Sequence, residues 1–72
     1  MQLEVNGDYI QLDQLLKTTG LCHSGGFAHS EIAAGMVSVD GVVETRKRAK
    51  LRPGQRVVYG DQSVELIARN VC

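Results

Sequence analysis

The sequence predicts an α+β fold in which two short helices pack against a small, mainly antiparallel sheet. The chain has 72 residues, enough for one hydrophobic core and no second one. The period of its apolar residues changes from 3.6 to 2 at Gly35, so helices precede that glycine and strands follow it. Turn dipeptides (Asn6-Gly7, Asp40-Gly41, Pro53-Gly54 and Gly60-Asp61) cut the remainder into segments of strand length. With 43% hydrophobic residues but only two Tyr and one Phe, the core must be aliphatic.

Gln2-Leu3-Glu4-Val5 alternates polar and apolar and reads as a first strand. Leu12, Leu15 and Leu16 then recur at i, i+3, i+4, which predicts a helix over residues 12–19. In it Asp13, Gln14 and Lys17 face outward and Gly20 provides the exit. Ser24 is the N-cap of a second helix over 25–34 carrying Phe27, Ala28 and Ile32, stopped by Gly35. Helices of this length are marginal alone and must pack. Residues 36–39 and 42–44 read as a hairpin on a type I′ Asp40-Gly41 turn. Val39 faces Val42 and Val37 faces Glu44, with an apolar cluster expected beside the turn. Pro53-Gly54 suits a type II turn, residues 56–59 a strand, and Ser63 to Ala68 the last strand. The predicted order is β-α-α-β-β-β-β in a single domain over residues 1–72, with Tyr9, Phe27 and Tyr59 packed in or against the core.

Formal net charge is zero, yet the charge is segregated. Residues 46–56 hold six cations (Arg46, Lys47, Arg48, Lys50, Arg52 and Arg56) and no acid; the rest of the chain has two basic and eight acidic residues. Such a segment is suited to a polyanion, because neutralising phosphates releases their condensed counterions. Its alternative is a loop that docks on an acidic protein partner. Ser24-Gly25-Gly26 adds a helix start with free N–H groups and no side chains to obstruct an approaching oxygen.

Enzymatic motifs are lacking. Cys22, His23 and His29 do not have metal-ligand spacing. Ser24, His29 and Asp40 can be named as a triad, but no nucleophile elbow, P-loop or dinucleotide fingerprint accompanies them. The expectation is therefore a non-enzyme without cofactor or metal. Two cysteines, Cys22 and Cys72, are too few for a disulfide framework. With no apolar leader at the N-terminus, free thiols in a reducing cytoplasm are expected.

Residues 9–60 resemble the αL-motif RNA-binding domain first known from ribosomal small-subunit protein four. The resemblance rests on Leu12-Asp13-Gln14-Leu15-Leu16, Gly20-Leu21, Ser24, Ala28, Ile32, Gly35, Val37-Ser38-Val39-Asp40-Gly41, Arg46-Lys47 and Gly54. The chain looks most like the small stand-alone bacterial members, which implies binding of structured RNA, often ribosomal; a monomer is expected. On this resemblance Ser24 is the helix-cap position and Arg46, Lys47, Arg48 and Lys50 contact phosphate. With the charge run and the helix start added, the expected RNA-binding residues are Ser24, Gly25, Gly26, His29, Arg46, Lys47, Arg48, Lys50 and Arg52. Many members have Arg where Gly25 stands and Lys or Arg where His29 stands. Here the backbone N–H groups of Gly25 and Gly26 would substitute, and any His29 contact would follow its protonation. A second resemblance, to ubiquitin-like sulfur carriers, rests on residues 1–7, 39–41 and 51–58. Carriers act through a C-terminal diglycine, whereas this sequence reads Arg69-Asn70-Val71-Cys72 there.

Overall fold

The computed structural model describes residues 1–68. The chain forms β1 (Gln2–Val5), β2 (Ile10–Gln11), α1 (Leu12–Thr18), α2 (Gly25–Ala33), β3 (Val37–Val39), β4 (Val42–Val43), β5 (Lys50–Leu51), β6 (Arg56–Tyr59) and β7 (Gln62–Ala68). Five strands make one sheet in the order β1-β7-β6-β3-β4, while β2 and β5 pair separately. Only β1 against β7 is parallel in the large sheet; its other pairs are antiparallel. The α+β fold with two helices on a mostly antiparallel sheet is thus as the sequence indicates.

The α1 leucines Leu12, Leu15 and Leu16 are completely buried, as are Ala28 and Ile32 of α2. They meet the inward side chains of the strands, Val5, Val37, Val57, Val64 and Leu66, in one aliphatic cluster that also holds Cys22, Ala49 and Leu51. Both helices end on glycine with left-handed φ, Gly20 at +80° and Gly35 at +77°. The α2 exit is a Schellman motif: the Gly35 N–H donates to the Ile32 carbonyl and the Met36 N–H to that of Glu31.

The structure adds and corrects several features. β2 and β5 were not expected, because two-residue strands have no detectable period. The hairpin has the expected register, Val39 opposite Val42, but β4 is the edge strand. Val42 and Val43 are therefore 68% and 59% exposed, and the apolar cluster beside the turn does not form. Tyr9 and Phe27 lie more in solvent than core packing would allow, at 39% and 38% exposure; Tyr59 does pack against the core.

Asp40 takes φ +53° and Gly41 φ +84°, as a type I′ turn requires. The Asp40 carboxylate also ties this turn to β6. Its Oδ1 accepts from the Arg56 N–H at 3.0 Å and its Oδ2 from Gln55 Nε2 at 3.3 Å. Asp40→Ala loses both bonds and leaves a β-carbon residue in a left-handed position. Urea denaturation should show a loss of about 1–2 kcal/mol, with the m-value unchanged.

Candidate nucleic-acid interface

The cationic segment is built into the fold by its own backbone and by two apolar side chains. Ala49 and Leu51 are buried, 7% and 2% exposed, between exposed Arg48, Lys50 and Arg52. Leu51 pairs with Ile10 and Lys50 with Gln11. Helix α1 has no side-chain cap. Instead the N–H of Leu12 donates to the Ala49 carbonyl and that of Asp13 to the Lys47 carbonyl, both at 3.0 Å. Two of the donors that any helix start leaves unpaired are thereby satisfied by the loop.

The cations are not equivalent. Arg46 forms a two-pronged pair with Glu44, Nε to Oε2 and Nη2 to Oε1, each 3.1 Å. Hydrogen bonding from Arg46 holds the Glu44 carboxyl below its ordinary range and favours the charged guanidinium in return. Lys50 places Nζ 5.1 Å from the centre of the Tyr9 ring, a cation–π contact. Arg56, at the end of the segment, reaches Glu65 at 3.6 Å. Lys47 and Arg48 are exposed and make no ion pair with a described residue.

His29 joins this region from α2. Its Nε2 lies 3.0 Å from Asp13 Oδ2, linking the two helices. Asp13, expected to face outward, is drawn into the helix interface by this contact and its side chain is only 18% exposed. An open depression is lined by His29, Ala33, Thr45, Arg46, Lys47 and Arg48, and a second by Arg46, Arg48, Ala49 and Lys50. Five of the nine residues singled out from sequence, His29, Arg46, Lys47, Arg48 and Lys50, therefore share one continuous surface.

The other four stand apart from those depressions. Ser24 caps α2, its Oγ accepting from the Phe27 N–H at 3.1 Å. Gly25 and Gly26 follow with ordinary helical backbone. A β-carbon at Gly25 would meet only Lys17 Cδ at 3.9 Å, and one at Gly26 nothing within 4 Å. Neither packing nor backbone geometry demands glycine there. Arg52 lines neither depression, and its backbone N–H donates to Gln55 Oε1 at 2.7 Å.

Sequence reasoning missed Asp13, Glu44, Thr45 and Tyr9 as parts of this surface. Glu44 lay just outside the boundary of the acid-free run, two residues before Arg46. The Asp13–His29 link spans 16 residues and had no local signal. On the opposite flank of α2, Tyr59 donates to Glu31 Oε1 at 2.7 Å, and that bond pushes its phenol up to about 12. Burial raises the Cys22 thiol, which suits a packing role more than a reactive one. Cys72 lies outside the described residues.

A fold of two packed helices with a cationic loop stapled to the first of them defines a class of small domains, and comparison with known proteins gives the family. The S4 domain model matches residues 3–67, so the chain belongs to the S4 domain family. It is 47% identical over 60 residues to YbcJ of Escherichia coli (strain K12), covering 83% of this chain and 86% of YbcJ. The solution structure of YbcJ, described as having an αL motif involved in RNA binding, superposes with a TM-score of 0.73 at 41% identity. That match covers 93% of this chain and 86% of YbcJ's. A tyrosine–tRNA ligase of Ralstonia nicotianae is 40% identical over 57 residues, but those are 79% of this chain and only 14% of the ligase.

Since nothing crowds Gly26, Gly26→Ala should stabilise the domain by about 0.4–1 kcal/mol, seen as a higher thermal midpoint. A lower midpoint would mean that glycine is needed at this position by the fold itself.

Proposed function

We propose that this chain is a non-catalytic RNA-binding protein that grips structured RNA, ribosomal RNA being the first to test, through the phosphates. Arg46, Lys47, Arg48 and Lys50 provide the main contacts and His29 borders them. Arg52 and the N–H groups of Gly25 and Gly26 extend the surface at its two ends. The observation that carries this reading is the cationic loop, whose backbone is fixed to α1 and whose Lys47 and Arg48 have no ion pair among the described residues. A fixed loop binds with less loss of conformational freedom than a mobile one. The likeness to YbcJ, whose αL motif is described as involved in RNA binding, supports the same reading. Recognition would be chiefly of RNA shape, because A-form helices hide their base edges in a deep groove.

Filter binding of ribosomal RNA fragments between about 50 and 300 mM salt tests it. Four neutralised phosphates give a slope of log K against log salt of about −3 to −4. The double variant Lys47→Ala/Arg48→Ala should lower affinity and bring the slope about two units closer to zero, while its melting temperature stays that of the wild type. Wild-type protein that fails to bind RNA at the lowest salt would contradict the proposal and point to an acidic protein partner.

A further inference from the structure

Beyond the cationic loop, one exposed feature has no role in the fold's interior. His23 and Phe27 stack with ring centroids 4.9 Å apart and an angle of 26° between planes. Phe27, the chain's sole phenylalanine, is 38% exposed and His23 is exposed as well. The Ser24 hydroxyl accepts the Phe27 N–H, so the residue carrying the ring is held in the first turn of α2.

The position of this pair relative to the loop gives it a ligand. Phe27 and His29 are two residues apart, about 200° around the helix, so they lie on opposite flanks of α2. His29 lines the depression that holds Arg46, Lys47 and Arg48. Between the flanks, the outward surface of α2 carries the exposed small residues Gly26, Ser30 and Ala33 and no charge. A helix is about 10–12 Å across, a distance an RNA strand covers in a few nucleotides. A strand whose phosphates sit on the loop can therefore cross the outward surface of α2 without meeting a bulky or acidic side chain and arrive at the two rings. On their flank the one acid of α2, Glu31, is already engaged by the Tyr59 hydroxyl. Rings in solvent beside a phosphate-binding surface are suited to stacking on a base.

Resting on the RNA-binding reading above, we propose that the His23–Phe27 pair is a stacking platform for one unpaired base of the bound RNA. The protein would then prefer RNA with a bulged or looped-out nucleotide to an uninterrupted duplex.

The test uses two RNA hairpins alike except that one has a single unpaired fluorescent aminopurine. Wild-type protein should bind the bulged hairpin about five- to a hundredfold more tightly and quench the fluorophore. Phe27→Leu and His23→Gln should each reduce that preference and the quenching while leaving affinity for the paired hairpin unchanged. Lys47→Ala/Arg48→Ala should weaken both hairpins alike. Equal wild-type affinity for the two hairpins, or variants that keep the full preference and quenching, would overturn the platform while leaving the loop's role intact. His23 is exposed, so its variant tests the idea even if Phe27→Leu proves unstable. Binding of neither hairpin by the wild type would overturn the RNA-binding reading and the platform with it.

Discussion

Two hydrogen bonds organise this molecule: those from the Leu12 and Asp13 N–H groups to the carbonyls of Ala49 and Lys47. A helix of seven residues cannot stand alone, and α1 starts without a side-chain cap. Its first turn borrows acceptors from Lys47 and Ala49, far along the chain. The dependence is mutual. A loop with so many like charges would be driven apart by its own repulsion, and here its backbone is committed to the helix start and to the Ile10–Leu51 bridge. Ala49 and Leu51 enter the core between the cations and fix which way the charged side chains can point.

This arrangement explains how a chain of zero net charge can present a cationic surface. Acids are placed where they organise that surface. Glu44 holds Arg46 by two hydrogen bonds, Asp13 holds His29, and Asp40 locks the hairpin to the strand that follows the loop. Such contacts add little to stability, because their charged groups stay partly in solvent. What they do is restrict the directions of side chains and backbone before any partner arrives. Lys47 and Arg48, at the crest of the loop, are left to carry charge outward.

Much of the fold was legible because it follows from local chemistry. The leucine spacing of α1, the Ser24 cap, the glycine exits and the Asp40-Gly41 turn each specify their own geometry. The Val39–Val42 register follows from a two-residue loop. What could not be read are contacts between distant segments. The parallel pairing of β1 with β7 and the two-residue bridge of β2 with β5 have no signature in either strand alone. At the site, charge segregation identified the loop. Its attachment to α1, the Asp13–His29 link and the Lys50–Tyr9 contact are products of packing. Val42 and Val43 were misjudged for the same reason: period 2 finds a strand and its register but does not say which strand lies at the sheet's edge.

The most direct test of this account is native-state hydrogen exchange at the Leu12 and Asp13 amides in the protein without RNA. If the loop carbonyls cap α1 permanently, both amides should be protected nearly as well as those in the middle of the helix, exchanging mainly through global unfolding. Exchange as fast as in an unstructured peptide would show that the loop is not held against the helix in the free protein, and a preformed cationic surface would have to be given up.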